Sequence, residues 1–322
     1  MPTRRNPRKS SMQFWHRRRS PRMTARIRTW VGTKDAKLLG FCGYKVGMTH
    51  IIQIDNRSTS LSKGEEIATP VTIIETPPMR IIGFKTLKNT YGGKQVAQFK
   101  WVDKTEKYLA RAINVPKQAK AVDINAQGVV AVRVLVQTQP HLINLKKTPD
   151  IVELGVGGTV EQQLAYANSM LGKEIKPTDV FVEGQQVDAH SVTKGHGLQG
   201  PVARHGIMIR SHKAEKTKRG PATLGPWDGN RSYRVAHQGQ TGFHRRTELN
   251  KWIVKIEAKP EEVNPKGGFV HYGNANVACM MLKGSIGGAS KRLITLTHAH
   301  RPRANIPNKA PEVTHISVAS KQ

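Results

Sequence analysis

Two stretches of this chain are so rich in lysine and arginine that neither can fold by itself. Residues 1–34 contain eleven lysines and arginines and no carboxylate, and residues 194–246 contain eleven more against two carboxylates. Together they carry a net +20 of the chain's formal +30. Residues 194–246 also hold nine glycines and three prolines, with no sustained helical or strand period. Because like charges repel in a compact state, both stretches are predicted to be extensions that need a polyanion.

The composition favours a nucleic acid as that polyanion. Lysine and arginine contact phosphates, and rings placed between them can stack on unpaired bases. An anionic membrane surface is the alternative, but no apolar run approaches the roughly 20 residues of a span and no amphipathic helix carries the cations. The interleaved rings are Phe14, Trp15, His16 and Trp30 in the first stretch and Trp227, Tyr233, His237 and Phe243 in the second.

Trp227 is the aromatic residue that fits a protein core least. It lies between Gly225-Pro226 and Asp228-Gly229, both strong turn formers. We therefore expect its ring to be buried by RNA. The complete set of predicted RNA-binding residues is Arg4, Arg5, Arg17, Arg18, Arg19, Arg22, Arg26, Arg28, Lys45, Lys194, His196, Arg204, His205, Arg210, Lys213, Lys216, Lys218, Arg219, Trp227, Arg231, Arg234, His237, His244, Arg245 and Arg246.

No sequence motif supports catalysis, a cofactor or a metal. The string GHGLQG (195–200) has dinucleotide-binding glycines, but Pro201 follows where a helix must open, and no acidic residue lies about 20 positions further on. The histidines lack metal-ligand spacing beside a carboxylate or thiol. The second basic stretch offers only Glu215 and Asp228 for acid–base work. The sequence predicts no enzyme, no cofactor, no metal site and no small-molecule substrate.

The two cysteines indicate a reducing compartment. Cys42 and Cys279 are too far apart in sequence for a CxxC pair, and both lie among apolar residues. We expect buried, reduced thiols and a cytoplasmic protein. The acid-free, Arg/Ser-rich N-terminus leaves an organellar transit peptide as an alternative.

The remaining sequence predicts a mainly β protein, either a barrel or a sandwich. Thr159 and Gln162 form a capping-box pattern ahead of one helix, and Gly172 suits its C-terminal cap. A second helix is expected around residues 104–113. The predicted strands of the protein are the β-branched runs 38–55, 71–76, 80–86, 128–137, 252–257, 276–284 and 293–297.

Because the helical patterns cluster between about residues 98 and 178, this part is predicted to be an α+β insertion. The predicted domains are an N-terminal basic extension (1–34), a β-barrel domain (35–97 and 179–300, with the basic loop 194–246), the insertion (98–178) and a C-terminal tail (301–322).

Five separated strings resemble one protein family. They are GYKVGMTHI (43–51), VTIIETPP (71–78), VDAHSVTKGHGLQGPVARHG (187–206), QGQTGFHRRTELN (238–250) and LKGSIGGASKRLITL (282–296). In this order they resemble the universal ribosomal protein L-three family of the large subunit. The chain length, the insertion and the N-terminal string RRRSPRMTARIRTW look like the archaeal branch of that family.

The resemblance implies a translation-protein-type β-barrel on the outer surface of the large subunit. It also implies two extensions that run through large-subunit (23S-type) rRNA towards the peptidyl transferase centre, with Trp227 at the loop tip. Neighbouring large-subunit proteins are implied as further partners. Eukaryotic relatives carry a histidine in the T-x-R-G string that reads Thr217-Lys218-Arg219-Gly220 here, so a role of that histidine does not transfer to Lys218.

The predicted function is therefore structural: binding of large-subunit rRNA on the ribosome, in support of subunit assembly and translation. The alternative is an RNA-modifying enzyme or RNA chaperone on a β-barrel scaffold. That alternative requires a pocket with acids of shifted pKa and turnover on free RNA.

Trp227→Ala is expected to leave the melting temperature of the free protein almost unchanged, because a tryptophan flanked by turn-forming residues is not expected to be part of a core. A core Trp→Ala substitution costs about 3–5 kcal/mol of unfolding free energy. Thermal unfolding of both proteins measures the difference, and a loss of that size would show that Trp227 belongs to a core.

Overall fold

The computed structural model describes residues 16–103, 105–115, 124, 126–221 and 235–319. The chain divides into two compact units. The small unit comprises residues 1–21 and 192–245, and the large unit comprises residues 22–191 and 246–322. The domain boundaries expected from the sequence remain predictions.

Strands dominate the described residues, which confirms a mainly β protein. The helices are α1 (Val160–Ser169), α2 (Pro201–His205) and α3 (Pro260–Val263). The strands are β1 (Gly40–Ile54), β2 (Glu66–Glu75), β3 (Met79–Thr90), β4 (Gly93–Trp101), β5 (Val129–Thr138), β6 (Ile151–Gly155), β7 (Glu174–Ile175), β8 (Gln186–Val192), β9 (Gly195–Gln199), β10 (Gly239–Gly242), β11 (Arg245–Ala258), β12 (Cys279–Lys283), β13 (Leu293–His298) and β14 (Val313–Ile316).

The largest sheet returns on itself through β1. Its strands pair in the order β13-β8-β11-β12-β2-β1-β14, and β1 also pairs with β13. The six strands from β13 to β1 therefore form a closed ring, with Gly40 opposite Thr297. Strand β1 can serve three neighbours because it is 15 residues long. Residues 40–44 pair with β13, residues 44–54 with β2, and residues 51–53 with β14.

Buried apolar side chains pack against this ring in two clusters. One includes Val46, Ile73 and Met281, and the other includes Phe41 and Ile294. All six residues of β13 are buried. A strand buried at every position is covered on both faces, which explains its continuous run of apolar and threonine residues.

A second sheet pairs in the order β4-β3-β5-β6, with β7 added to the edge of β3. Helix α1 packs beside β5, and the Gln163 side chain accepts a hydrogen bond from the backbone N–H of Val132 at 2.9 Å. The capping box predicted from Thr159 and Gln162 is present. Ala167 is fully buried, as the predicted apolar face requires.

The second predicted helix, around residues 104–113, was wrong. The described residues of this stretch contain only a single 3₁₀ turn, Leu109–Arg111. Leu109 is buried against Ile82 and Val102, while Tyr108 stacks on His141 with ring centroids 4.3 Å apart. One buried leucine does not supply the apolar stripe that a longer helix needs.

Both cysteines are buried free thiols, as predicted. Burial raises the pKa of Cys42 to about 12, against a weaker opposing effect of the hydrogen bond to Thr295. Burial likewise raises the pKa of Cys279, and Glu75 adds to the shift. Such thiols stay protonated and unreactive at neutral pH. Among the described residues, no helix combines the length and the apolar character that crossing a membrane requires.

His298 ends β13 in a buried position that disfavours its charged form. Its ring meets Phe181 edge-on at 5.1 Å, and Gln185 Nε2 lies 2.5 Å from His298 Nδ1. Burial lowers the pKa of His298 from its ordinary value to about 4, and the positive charge of Lys37 contributes. Between about pH 4 and pH 6.5, the folded state therefore binds fewer protons than the unfolded chain.

We expect this histidine to make the large unit less stable in mild acid. The contribution is fully present above pH 6.5 and is lost as the pH falls towards 4, at a cost of about 2 kcal/mol after solvent screening. Urea unfolding between these pH values measures the loss. His298→Leu should flatten the pH dependence even if it changes the stability at neutral pH, whereas the exposed His300→Asn should not. Equal pH slopes for wild type and His298→Leu would contradict the assignment.

Candidate nucleic-acid interface

The small unit concentrates the positive charge of the molecule. It contains seventeen lysines and arginines against two carboxylates, a net +15 out of the chain's +30. Within its described residues the single carboxylate is that of Glu215. Ion pairs can therefore contribute little to the stability of this unit, and backbone hydrogen bonds and close packing must contribute most of it.

Strands β9 and β10 of the small unit pair with each other in an antiparallel arrangement. Gly242 ends β10 with a φ of +71°, and a Cβ at this position would lie 1.9 Å from the carbonyl oxygen of Lys194. Only glycine permits this close approach. The next residue, Phe243, donates its backbone N–H to the same carbonyl at 3.0 Å. The glycines of this stretch thus bring two cation-bearing segments side by side.

A short helix follows the glycine string, contrary to the sequence expectation. Helix α2 begins at Pro201, with Gly200 as its N-cap and Gly206 in the left-handed conformation at its end. The expectation failed because proline is well suited to the first helical position, where its missing N–H has no partner to lose. A dinucleotide site is still disfavoured, because β9 pairs antiparallel with β10 rather than leading into a parallel βαβ unit.

Arg204, in the last turn of α2, joins this helix to the second strand segment. Its Nη1 donates to the carbonyl oxygen of His237 at 3.0 Å. A Cβ at Gly239 would lie 2.7 Å from the same nitrogen, so this glycine makes room for the guanidinium group. Burial lowers the pKa of Arg204, and repulsion from Arg17 adds to the effect. An arginine remains charged despite such a shift, so Arg204 both braces the backbone and keeps its charge.

His205 shares this positive environment. Burial lowers its pKa below the ordinary value, and the charges of Arg204 and Arg17 lower it further. The half-buried imidazole is therefore neutral at neutral pH in the free protein. A phosphate placed beside these three residues would oppose the repulsion and favour the protonated ring.

The N-terminal segment is fastened to the end of β10 within the same unit. Ser20 donates its backbone N–H to the carbonyl oxygen of Phe243 at 2.8 Å. His244 Nδ1 lies 2.8 Å from the carbonyl oxygen of Arg18, and the guanidinium of Arg19 lies 5.2 Å from the centroid of the Phe243 ring. The two basic stretches therefore run beside one another at residues 18–20 and 243–244.

This contact changes the roles expected for two rings. His244 is buried, with only 7% of its surface exposed, whereas it was predicted from the sequence to bind RNA. The Phe243 ring is partly covered by an arginine of the protein itself. Both residues position the N-terminal segment, and the sequence could not show this because the partners are more than 220 residues away.

Most of the predicted cations that the structure describes lie on the surface. The half-buried ones are Arg17, Lys45, Arg204, His205, Arg210 and His237. Among them, Arg210 donates from Nη2 to the carbonyl oxygen of Pro221 at 3.0 Å. The exposed ones are Arg18, Arg19, Arg22, Arg26, Arg28, Lys194, His196, Lys213, Lys216, Lys218, Arg219, Arg245 and Arg246.

Two predicted contact residues belong instead to the large unit's own packing. The Lys45 ammonium group donates to the carbonyl oxygens of Ile286 and Gly288, so it fixes a loop. The Trp30 ring packs on the core, where a Cβ at Gly155 would lie 2.7 Å from its Cδ2 atom. Trp30 was expected to stack on bases. Instead, its ring fills a depression that exists because Gly155 of β6 has no side chain. Arg22, Arg26 and Arg28 also belong to the large unit.

Several predicted residues lie outside the described residues. They are Arg4, Arg5, Trp227, Arg231 and Arg234, together with the rings of Phe14, Trp15 and Tyr233.

Three exposed aliphatic side chains of the small unit were not predicted from the sequence as RNA contacts. Leu198 is 72% exposed, Met208 90% and Ile209 47%. Each of the three residues lies in a stretch with almost no carboxylate, and this could have indicated an RNA contact from the sequence. The prediction, however, was limited to rings and cations. Aliphatic groups among cations can pack on sugars and base faces while the cations neutralise phosphates.

The described residues do not bring together the groups that metal chemistry needs. None of their histidine, cysteine, aspartate and glutamate side chains form a group of three that could hold a metal ion. What the small unit offers chemically is a dense set of positive hydrogen-bond donors on a braced backbone.

Comparison with known proteins agrees with this picture. The family model described as Ribosomal protein L3 matches residues 1–322. Large ribosomal subunit protein uL3 of Methanosphaera stadtmanae is 43% identical, with 98% of each chain covered. The proteins of the same name from Archaeoglobus fulgidus and Methanothrix thermoacetophila are 41% and 40% identical, with at least 98% of each chain covered. The chain therefore belongs to the ribosomal protein L3 family.

Proposed function

We infer that the small unit is the main rRNA-binding surface of this chain, which as a member of its family is a structural constituent of the large ribosomal subunit. The observation that carries the inference is the net +15 of the small unit, held on a backbone braced by Gly239, Gly242 and Arg204 rather than by ion pairs. Charge that no protein carboxylate balances is available for phosphates.

The finer architecture also belongs to this proposal. The closed ring of six strands corresponds to a translation-protein-type β-barrel, and the two basic stretches correspond to extensions directed towards the peptidyl transferase centre. The attachment of residues 18–20 to residues 243–244 supports a shared path for the two stretches. Trp227 is proposed to insert among unpaired bases, and the predicted cations to contact phosphates. The chain is also proposed to contact neighbouring large-subunit proteins and to be located on cytoplasmic ribosomes.

The mode of recognition follows from the residue types. The exposed lysines and arginines neutralise phosphates without reading sequence, whereas Leu198, Met208 and Trp227 are the groups that can contact bases. The base edges of A-form RNA are poorly accessible, so the unit recognises mainly shape and unpaired bases. The role is structural rather than enzymatic, and support of subunit assembly and translation follows from it.

Removing three exposed cations of the small unit is expected to reduce the salt dependence of rRNA binding. In the variant Lys213→Gln/Lys216→Gln/Lys218→Gln, the slope of log K against log salt should fall by about 2, because each lost phosphate contact contributes slightly less than one. Filter binding to a large-subunit rRNA transcript between about 0.05 and 0.4 M potassium chloride measures the slope. The matched control, Lys63→Gln/Lys147→Gln/Lys266→Gln, removes three exposed lysines of the large unit and should change the slope by less than about one.

Equal slopes for wild type and the small-unit variant would contradict the proposal. Fractionation in rising salt gives an independent check, since the protein should stay with the large-subunit peak until high salt removes it. Recovery as a free species that turns over free RNA would favour the RNA-modifying enzyme instead.

A further inference from the structure

A second basic surface lies on the large unit, in the loop of residues 299–310, here called the C-terminal loop. Its sequence AHRPRANIPNKA contains two arginines, one lysine and one histidine, with no carboxylate. None of these residues was among the predicted RNA contacts, because the sequence assigned the chain from 301 onward to a tail. In the structure this loop lies between β13 and β14.

The middle of the C-terminal loop is held by Gln186. This buried side chain accepts the backbone N–H of Arg303 at 2.9 Å and donates to the carbonyl oxygen of the same residue at 2.8 Å. Both backbone groups of one residue are thus fixed by a single amide of β8. The Arg303 side chain takes no part in either bond and remains exposed.

The start of the loop is held by Asp188, two residues along the same strand. One carboxylate oxygen accepts the backbone N–H of His300 at 3.0 Å, and the other accepts that of Asn250 at 2.9 Å. Asp188 is buried, with 3% of its surface exposed. The Asp188 carboxylate therefore faces backbone N–H groups, and neither of its oxygens pairs with an arginine of the loop.

The far end of the loop is held from two sides. The Asn56 side chain donates to the carbonyl oxygen of Lys309 at 2.9 Å. Gly184 lies so close that a Cβ there would be 2.3 Å from the carbonyl oxygen of Asn308. The prolines at 302 and 307 restrict the backbone further. Little conformational entropy remains to be lost when such a loop binds a ligand.

The charged side chains of the C-terminal loop lie at the surface of the part of the chain that the structure describes. His300, Arg301, Arg303 and Lys309 are exposed, and no described carboxylate forms an ion pair with the two arginines or the lysine. An array of cations on a fixed backbone suits a ligand with regularly spaced negative charges. The loop has no phenylalanine, tyrosine or tryptophan, and His300 is its single ring, so it has few of the stacking groups that bind unpaired bases.

We propose that the C-terminal loop is a second RNA-binding surface of this protein, which contacts backbone phosphates of structured RNA through Arg301, Arg303 and Lys309. The proposal rests on the proposed function in its choice of RNA as the ligand, but it concerns a different unit and different residues. Gln186 and Asp188 act as positioning residues that set the spacing of the cations.

The test compares three charge variants of the full chain on one large-subunit rRNA transcript. They are Arg301→Gln/Arg303→Gln/Lys309→Gln in the loop, the small-unit variant of residues 213, 216 and 218, and the control variant of residues 63, 147 and 266. The loop variant should bind at least tenfold more weakly at about 0.1 M salt, with a slope reduced by about 2. Its hydroxyl-radical footprint should lose one protected patch, while the patch that depends on the small unit persists.

Positioning is tested separately with Gln186→Leu, which removes both bonds to Arg303 and keeps every cation. This variant should bind RNA several-fold more weakly although no charge has been removed. Thermal unfolding of each variant identifies any change that reflects a loss of folding rather than a loss of contact.

The outcomes separate the two proposals. Wild-type affinity and footprint for a folded loop variant, with weakened binding by the small-unit variant, would overturn the second surface and leave the proposed function standing. Unchanged binding by both variants would contradict the proposed function itself. Wild-type RNA binding by a loop variant that fails to join the subunit would assign the loop to an acidic protein neighbour and overturn the RNA contact.

Discussion

The pairing of β1 with β13 is the contact on which the architecture of the large unit depends. Without it, the six strands would form an open sheet with two exposed edges. The close fit relies on glycine, because a Cβ at Gly40 would lie 2.7 Å from the carbonyl oxygen of Leu296. The chain leaves β8 for the small unit at residue 192 and re-enters β11 at residue 245. Since β8 and β11 are neighbours in the ring, the internal segment of the small unit begins and ends at adjacent strands.

The small unit solves a different physical problem, which is to hold an ordered backbone under strong repulsion. With only two carboxylates it can form few ion pairs, and the contacts described for it include Arg204 on a carbonyl, Arg19 over a ring, and glycines that allow backbones to touch. The two arginine contacts keep a positive charge while they stabilise the chain, and the glycine contacts use no charge at all. Bracing and charge retention therefore come from the same residues, which is why a polyanion is the natural ligand.

The sequence could predict what depends on local pattern. The capping box of α1, the β-branched strands and the buried thiols follow from spacing and residue type alone. It could not predict what depends on distant partners. Trp30 fills a depression over Gly155, His244 meets the backbone of Arg18, and Gln186 holds Arg303. Each pair is brought together only by the closed fold, so no local pattern indicates which of these polar or aromatic residues serves the structure and which serves RNA.

Closure of the ring also sets the order in which the strands can pair during synthesis of the chain. The contact between Cys42 and Thr295 spans 253 residues, so β1 leaves the ribosome long before its partner exists. At roughly 5–20 residues per second, this strand waits on the order of 10–50 s with one edge unpaired. During that interval the nascent chain shows an apolar strand edge together with a basic N-terminal segment. A newly made copy of this protein therefore needs protection from aggregation and from stray RNA until the last strands have been synthesised.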